Sequence, residues 1–251
     1  MRIETIGNAT LYEGECLALM AKLPDASVDM ILCDLPYGTT ACKWDTVIPF
    51  EPLWAQYRRV AKRNAAIVLT ASQPFTTALI ASNMREFRYC WVWDKVNRYT
   101  GALNANRMPL KRHEDIAVFY RSPPAYNKQW REGKPYNAKW RTGSYGGYGK
   151  HHAVDGSSDG RHNPCSILPI EADNKREMGF HPTQKPVALM EYLIRTYTQE
   201  GETVLDNCMG SGTTGVACVN TGRQFIGIEL DETHFNTSCG RLRDAFDLHE
   251  F

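Results

Sequence analysis

The first half of the chain alternates short apolar runs with segments of helical periodicity, and this alternation restricts the folds that it can adopt. The apolar runs predict β-strands, and they are ATLYEG, VDMILCD, AAIVLTAS, RYCWVWDK and DIAVFYR. Between them, FEPLWAQYRRVAK places Leu53, Trp54 and Tyr57 on one helical face, and TTALIASNM predicts a shorter helix. Strands that alternate with helices are typical of a mostly parallel, doubly wound α/β sheet.

The alternating pattern breaks between residues 122 and 179, which are rich in glycine, proline, serine, asparagine and lysine. So long an irregular stretch is uncommon in a compact domain unless it binds something. Regular patterns return with PVALMEYLIRTYT, TVLD, TTGVACVNTG, QFIGIEL and a last helix from Asp231. We therefore predict one α/β domain formed by residues 1–121 and 180–251, with residues 122–179 inserted into it.

The net charge of +1 conceals a strongly basic segment between Lys95 and Lys150. This segment contains twelve lysine or arginine residues, three acidic residues and nine aromatic residues, so its net charge is +9. Cations interleaved with flat side chains suit phosphate contact and base stacking, although a solvated loop over buried aromatics has the same composition. A nucleic-acid surface is therefore one hypothesis, and its candidate contacts are Arg98, Arg107, Lys111, Arg112, Lys128, Arg131, Lys139 and Arg141.

Cysteine spacing and hydropathy indicate the cellular compartment in which the protein resides. The eight cysteines form no C-x-x-C pair and no His/Cys cluster at zinc spacing, which favours reduced, buried thiols. No apolar run approaches the roughly 20 residues that cross a bilayer. The N-terminus MRIETIGNAT also lacks the apolar segment of a signal peptide. These features predict a cytoplasmic protein, and nothing in them indicates a metal site.

The stretch VLDNCMGSGTTG predicts a strand, an acid, a glycine loop and a helix. Gly210, Gly212 and Gly215 satisfy G-x-G-x-x-G, and Glu229 ends the next predicted strand, where an acid can accept both hydroxyls of a ribose. A dinucleotide site and a plain strand–helix turn both stay open. S-adenosylmethionine fits better, because Asp206 suits a cationic ligand better than a pyrophosphate. Too little chain also follows the loop for a second nucleotide half.

DLPYG follows the predicted strand VDMILCD and brings an acid, a stiff backbone and a flat ring to one strand end. The exocyclic amine of adenine or cytosine is a poor nucleophile, because its lone pair is delocalised into the ring. Asp34 and the backbone carbonyl of Leu35 can accept its two N–H bonds, and Pro36 keeps Leu35 extended. Tyr37 offers a face for a base that has left its helix. A strand end with a Pro-Tyr turn is the simpler alternative for this stretch alone.

The segment FHPTQKPVALMEYLI opens a predicted helix, with Thr183 as its cap and Lys185 beside it. Free N–H groups at a helix start and a lysine together form a site for a carboxylate, such as the methionine end of S-adenosylmethionine. An ordinary capped helix is the simpler interpretation of this segment by itself.

Taken together, these stretches resemble the amino-methyltransferases of DNA, which modify adenine N6 or cytosine N4. DLPY resembles the family's catalytic (Asn/Asp/Ser)-x-Pro-(Tyr/Phe/Trp) tetrapeptide, LDNCMGSGTTG its cofactor loop, and HPTQKP the segment before that loop. YEGECLALMAKLPDASVDMILCDLPY is similar to the family's opening, and RHEDIAVFYR to the end of its first catalytic half. The tetrapeptide precedes the glycine loop with a basic region between them. That order resembles the β class, in which the insertion is the target recognition domain.

The resemblance implies an S-adenosylmethionine-dependent methyltransferase with a Rossmann-like fold and permuted motif order, acting on double-stranded DNA. The implied catalytic residues are Asp34, Leu35, Pro36 and Tyr37. The implied cofactor site comprises Cys16, Asp34, Thr183, Lys185, Asp206, Cys208, Gly210, Gly212, Thr213 and Glu229. Glu15 stands where the family usually has aspartate, which makes its contact with the adenosine less secure than that of Cys16.

An acid at the first tetrapeptide position resembles the adenine branch, so the leading hypothesis is methyl transfer to adenine N6 after base flipping. A cytosine-N4 enzyme, an RNA or small-molecule methyltransferase, and a binding module with an inactive site stay open. The family also allows a homodimer and a cognate restriction endonuclease that acts on the same site, as in restriction-modification, although no stretch of the sequence identifies either.

Overall fold

The computed structural model describes residues 2–38, 45–137, 139–140, 143–144, 150–151, 154–173 and 184–248. The chain divides into two compact units, Met1–Asn127 with Ser166–Phe251, and Lys128–Cys165. The smaller unit lies within the range 122–179 that the sequence predicts as an insertion. The larger unit therefore holds every residue that the sequence predicts for catalysis or for the cofactor.

In the described part of the larger unit, nine strands form one sheet in the order β1-β2-β15-β14-β3-β4-β6-β5-β13. These strands are β1 (Arg2–Ile6), β2 (Ala9–Glu13), β3 (Val28–Asp34), β4 (Ala61–Ala71), β5 (Phe87–Asp94), β6 (His113–Phe119), β13 (Ile167–Pro169), β14 (Thr203–Asp206) and β15 (Gln224–Glu229). The block from β2 to β4 is parallel throughout, and β13 is parallel to β5. Strand β6 is antiparallel to both of its neighbours, and β1 is antiparallel to β2. The predicted mostly parallel α/β fold is therefore confirmed.

Helices cover both faces of this sheet. Those described are α1 (Cys16–Met20), α2 (Phe50–Val60), α3 (Phe75–Ser82), α4 (Val187–Tyr197), α5 (Thr213–Thr221) and α6 (Glu232–Asp247), with a 3-10 turn at Ala102–Asn104. Along β3, Met30 packs in the core beneath α4, α5 and α6, whereas Ile31 packs in the core beneath α1, α2 and α3. Alternate residues of a strand point to opposite faces, so both faces of this apolar strand are buried. None of the helices in the described ranges combines the length and apolar character of a membrane span.

Three elements of the larger unit were not predicted, namely β1, α1 and β13. Strands β1 and β13 are the two edges of the sheet, and each has one partner strand. Helix α1 has five residues and β13 has three, so neither presents enough residues for a periodic pattern. These elements are specified by contacts across the fold more than by local sequence.

In the described residues of the smaller unit, six two-residue strands pair in a nested order. They are β7 (Arg131–Glu132), β8 (Lys139–Trp140), β9 (Gly143–Ser144), β10 (Lys150–His151), β11 (Val154–Asp155) and β12 (Arg161–His162). The antiparallel pairs are β7 with β12, β8 with β11, and β9 with β10. The described pairs are therefore nested as in a long hairpin, in a region where the sequence indicates no regular structure.

Candidate active site

Three neighbouring parallel strands end at one edge of the sheet, and the last residue of each is acidic. Asp34 ends β3, Asp206 ends β14 and Glu229 ends β15. A cleft of about 820 Å³ opens at this edge, and these three residues and Gly210 line it. Others in its wall are Leu35, Pro36, Tyr37, Cys16, Lys185, Cys208 and Thr213. The structure thus brings the predicted amine site and the predicted cofactor loop into one cleft, at the edge where open α/β sheets bind ligands.

Both carboxylate oxygens of Asp34 have hydrogen-bond partners. Its Oδ1 accepts hydrogen bonds from the hydroxyl of Tyr37 at 2.8 Å and from the hydroxyl of Thr70 on β4. Its Oδ2 accepts a hydrogen bond from the ammonium of Lys185 at 2.6 Å. Three donors from separate segments therefore hold this carboxylate in one orientation at the edge of the cleft.

Lys185 lies between two carboxylates in the interior of the larger unit. Its Nζ is 2.6 Å from Oδ2 of Asp34 and 3.3 Å from Oε2 of Glu114. The other oxygen of Glu114, Oε1, is 2.6 Å from Nζ of Lys95. Burial lowers the pKa of Lys185, but the attraction of the two carboxylates outweighs burial and raises this pKa above its ordinary value. Lys185 is therefore an ammonium at neutral pH, within a row of alternating charges.

The start of α4 differs from the sequence prediction. The helix begins at Val187 with Pro186 at its N-cap, so the prediction that Thr183 caps it is wrong. Thr183 itself lies outside the described residues. Lys185 lines the cleft, but its ammonium contacts Asp34, and its predicted contact with the carboxylate of the cofactor stays a prediction. Local sequence could not reveal the contact with Asp34, because 151 positions separate the two residues.

Tyr37 is packed into the wall of the cleft. Its ring stacks on Phe75, with ring centroids 5.1 Å apart and planes inclined by 26°. Nζ of Lys185 lies 5.6 Å from the centroid of the same ring. Since its hydroxyl also bonds to Asp34, the observed contacts give Tyr37 a positioning role. The predicted stacking of a base on this ring stays a prediction.

Both carboxylate oxygens of Glu229 accept backbone hydrogen bonds, one from the glycine loop and one from the start of α6. Oε2 accepts the backbone N–H of Gly210 at 2.8 Å, and Oε1 accepts that of Asp231 at 2.8 Å. Burial raises the pKa of Glu229, and the backbone donors oppose this effect. A carboxylate has about four acceptor positions, so two remain for other donors such as hydroxyl groups. The predicted contact with a ribose is compatible with this geometry.

Asp206 is buried at the start of the glycine loop. Its Oδ2 accepts a hydrogen bond from the hydroxyl of Thr214 at 2.6 Å, and its Oδ1 accepts the N–H of Cys208 at 3.1 Å. Burial raises the pKa of Asp206 to about 6. This carboxylate therefore ties the end of β14 to the start of α5, in addition to lining the cleft.

The glycines of the loop serve two different purposes. Gly210 has a φ of +53°, and a Cβ at this position would meet no atom within 4 Å, so the backbone here leaves space in the cleft. Gly212 has a φ of +81°, and a Cβ there would lie 2.8 Å from Cβ of Ser238 on α6. Thr213, the first residue of α5, accepts a hydrogen bond from Arg241 at 3.2 Å. The loop is thus open toward the cleft and closely packed toward α6.

Helix α1 contributes Cys16 to the cleft and depends on Glu15 for its N-cap. The carboxylate of Glu15 accepts the N–H groups of Leu17 at 2.9 Å and of Ala18 at 2.7 Å. The thiol of Cys16 donates a hydrogen bond to Oε1 of Glu15 at 3.7 Å. The observed contacts of Glu15 are therefore with the start of α1.

Replacement of Glu15 by alanine removes this cap. We expect the free energy of unfolding to fall by about 1 kcal/mol, because two backbone N–H groups lose their acceptor. Glu15→Asp should recover part of this loss, and Glu200→Ala, which removes an exposed glutamate elsewhere, should change the stability little. Urea denaturation of the three variants checks this prediction. Equal effects of Glu15→Ala and Glu200→Ala would contradict it.

Among the residues predicted to contact nucleic acid, two of those in the larger unit are held by other side chains. Arg112 donates two hydrogen bonds to Asp94, at 2.6 and 2.7 Å, and Lys111 bonds with a serine hydroxyl. Arg98 lines the cleft, and Arg107 is exposed. The side chains of Arg112 and Lys111 therefore have anchoring roles, and Arg107 is exposed at the surface.

The candidates in the smaller unit are partly described. Lys128 donates a hydrogen bond to the side chain of Asn163 at 3.0 Å, and its Nζ lies 5.1 Å from the ring centroid of Trp130. Arg131 donates to the backbone carbonyl of Asn163 at 3.0 Å. The side chain of Lys139 and all of Arg141 lie outside the described residues. The contact of these cations with DNA stays a prediction.

The polar residues that surround Asp34 and Lys185 were missed by the sequence analysis, and they are Thr70, Lys95 and Glu114. Thr70 and Lys95 are buried near the ends of apolar strands, and Glu114 lies two residues before the apolar run IAVF. A polar residue where an apolar strand ends is the signal that could have identified them. That signal does not show which residue each side chain contacts, because the contacts are made with distant segments of the chain.

The composition of the cleft fits a cationic adenosine ligand. Acidic side chains end three strands, Gly210 leaves room beside one of them, and apolar residues such as Ile48 and Met190 complete the wall. Sulfonium and ammonium groups suit such an acidic site, and Glu229 has acceptor positions left for a ribose. Among the described residues, no group of three or more His, Cys, Asp or Glu side chains is placed to hold a metal ion.

Comparisons with known proteins identify the family. The model of the N6/N4 DNA methylase family matches residues 28–239. The type II methyltransferase M2.MboI of Moraxella bovis is 26% identical, over 94% of this chain and 88% of its own. The crystal structure of the M1.HpyAVI–SAM complex is 25% identical, with a TM-score of 0.62 over 93% of this chain and 98% of that one. The cytosine-N4-specific PvuII DNA methyltransferase, 14% identical, shares the fold with a TM-score of 0.67, over 98% of this chain and 93% of its own. The chain belongs to the N6/N4 DNA methylase family and is a methyltransferase that uses S-adenosylmethionine.

Proposed function

We propose that this enzyme methylates adenine N6 at specific sites in duplex DNA after flipping the adenine out of the helix. The observation that carries the proposal is the position of Asp34, whose carboxylate faces the cleft that the glycine loop also lines. An aspartate at the first position of the tetrapeptide supports adenine over cytosine. Extrusion of the base costs a few kcal/mol and is easiest where the pair is already weakened.

In the proposed reaction, Asp34 and the backbone carbonyl of Leu35 accept the two N–H bonds of the target amine. These acceptors let the nitrogen move toward tetrahedral geometry, so that its lone pair becomes available to attack. The side chain of Leu35 is buried, which fixes the backbone that carries this carbonyl. Bound S-adenosylmethionine supplies an electrophilic methyl group. Asp34 stabilises the positive charge that develops on the nitrogen and receives the proton that the methylated amine releases.

Lys185 has a supporting role in this mechanism. Its ammonium contacts Oδ2 of Asp34, whereas Oδ1 accepts hydrogen bonds from the neutral hydroxyls of Tyr37 and Thr70. A hydrogen bond from the target amine can replace one of these neutral bonds at Oδ1. Neutral hydrogen bonds are weaker than charge-assisted ones, so exchange at Oδ1 costs less than exchange at Oδ2. We therefore assign the amine to Oδ1.

The smaller unit, Lys128–Cys165, is proposed as the centre of a target-recognition region that spans residues 122–179. A nested hairpin with several cations offers side chains to a DNA groove, where arginine pairs with guanine edges. A homodimer and a partner endonuclease are compatible with the family, and neither is required by the proposed reaction.

Sequencing of DNA from cells that express the protein, with modified bases identified directly, tests the proposed function. We expect N6-methyladenine at one recurrent sequence, and none in cells that express Asp34→Ala. N4-methylcytosine in its place would establish the cytosine alternative, and mass spectrometry of nucleosides separates the two. Methyl groups in RNA but not in DNA would refute the proposal.

Binding to DNA should weaken steeply with salt, because cations of the protein displace counterions from phosphates. Each phosphate contact contributes about −0.9 to the slope of log K against log salt concentration. We expect Arg107→Ala to make the slope shallower by about one contact, and Arg85→Ala, which removes an exposed arginine outside the cleft wall, to leave it unchanged. Fluorescence anisotropy with a labelled duplex at several salt concentrations measures both slopes. Identical slopes for Arg107→Ala and the wild type would show that Arg107 does not contact a DNA phosphate.

A further inference from the structure

The connection between β5 and β6 forms a projecting loop, residues 96–111, which is called the arm here. The backbones of Thr100 and Lys111 pair across its root, with N–H to carbonyl distances of 2.8 and 2.9 Å. The side chain of Lys111 bonds with Ser72, and Arg98 and Thr100 line the catalytic cleft. The arm therefore has an anchored root that lies at the rim of the cleft.

The tip of the arm presents apolar side chains to solvent. Every residue from 101 to 110 is exposed, and Leu103 is exposed completely, at 101% of its reference area. Met108 is 56% exposed and Leu110 is 45% exposed. Local backbone bonds at Gly101, Asn104 and Met108 fold the tip on itself, and none of them buries these side chains. A single exposed leucine is ordinary, but three large apolar side chains on one short tip are the signature of a contact surface.

The charge around the tip indicates the class of partner. The arm contains no aspartate or glutamate, and its cations are Arg98, Arg107 and Lys111. Arginine and lysine beside exposed apolar residues are typical of proteins that insert a side chain between base pairs while they contact the flanking phosphates. A second copy of this chain would oppose one acid-free arm to another, and their like charges would repel each other.

We propose that Leu103 is a wedge that enters the duplex beside the target and fills the space that the extruded base leaves. This inference rests on the proposed function and adds to it the residue that keeps the base outside the helix. Met108 and Leu110 would extend the apolar contact, and Arg107 would hold a neighbouring phosphate. Because the root of the arm lies at the rim of the cleft, the wedge acts close to the site that receives the base.

The test compares two duplexes that carry the target sequence found by sequencing. In one, the target adenine is paired with thymine. In the other, an abasic position faces the adenine, so that extrusion needs little help. We expect Leu103→Ser to lower kcat/KM about tenfold on the paired duplex and less than threefold on the abasic duplex, since one wedge residue supplies part of the unstacking. Fluorescence of 2-aminopurine at the target position reports extrusion directly and should fall for Leu103→Ser on the paired duplex.

Met84→Ser is the matched control, because Met84 is 64% exposed and does not line the cleft. It should leave the rates on both duplexes unchanged. An equal loss on both duplexes for Leu103→Ser, or no loss on either, would overturn the wedge. A change of oligomeric state in solution for Leu103→Ser would also contradict the proposal, since the tip would then be an interface between copies of the chain. Failure of the wild-type enzyme to methylate either duplex would refute the proposed function instead, so the two failures are distinguishable.

Discussion

Replacement of Asp34 by alanine is expected to lower the rate of methyl transfer by at least about a thousandfold, while S-adenosylmethionine binds within about threefold of its wild-type affinity. The loss is large because Asp34 is proposed to act in the transition state, as hydrogen-bond acceptor, as counter-charge and as proton acceptor. Binding is preserved because Glu229 and Gly210 remain linked at 2.8 Å. Transfer of a labelled methyl group to DNA measures the rate, and isothermal titration measures the affinity.

Two further variants sharpen this experiment. Asp34→Asn keeps an acceptor oxygen for Tyr37 and Thr70 but loses the charge and the acceptor of Lys185, and it should still retain more activity than Asp34→Ala. Asp25→Ala removes a carboxylate that pairs with Arg59 at 2.6 Å outside the cleft, and it should leave the rate unchanged. Activity within tenfold of wild type in Asp34→Ala would contradict the catalytic assignment. Loss of cofactor binding in the same variant would move Asp34 to a binding role.

Replacement of Lys185 by methionine is expected to lower the free energy of unfolding by about 1–3 kcal/mol, because it leaves two half-buried carboxylates without their common cation. Glu114 already has one carboxylate oxygen, Oε2, without a hydrogen bond, and its remaining contact with Lys185 is the ion pair at 3.3 Å.

The double variant Lys185→Met/Glu114→Gln tests whether the loss arises from unpaired charge. Glutamine removes the charge of one carboxylate that has lost Lys185 and keeps an amide oxygen as acceptor for Lys95, so part of the stability should return. Urea denaturation of the wild type, both single variants and the double variant gives the coupling free energy. A loss of less than about 1 kcal/mol in the free energy of unfolding of Lys185→Met would contradict this prediction. A double variant less stable than Lys185→Met would also contradict it.

The central strands of the fold were predictable because each is buried on both faces and carries its own pattern. VDMILCD coincides with β3 and TVLD with β14, and QFIGIEL contains β15. The hairpin of the smaller unit was not predictable in this way. Its strands have two residues each and no alternation, so their pairing depends on contacts between segments that lie far apart in the chain.

The site was predictable to the extent that its residues lie at the ends of patterned strands. Asp34 and Gly210 occupy one cleft because parallel strands share one carboxyl edge, and both strands are evident in the sequence. The partners of those residues were not predictable. Thr70, Glu114 and Lys185 contact Asp34 or each other from separate segments, and their positions in the sequence do not indicate that they are close in space.

The pairing of β3 with β14 has a consequence for how targets can change. Val204 pairs with Met30 and Leu205 with Ile31, so the strand that ends at Asp34 and the strand that ends at Asp206 lie about 4.8 Å apart. On the proposed assignment, backbone bonds therefore set the distance between the amine site at Asp34 and the glycine loop that follows Asp206. If residues 128–165 recognise the target, an ancestor could exchange them for another recognition segment. The enzyme would then methylate a different DNA sequence, and the geometry of the reaction site would be unchanged.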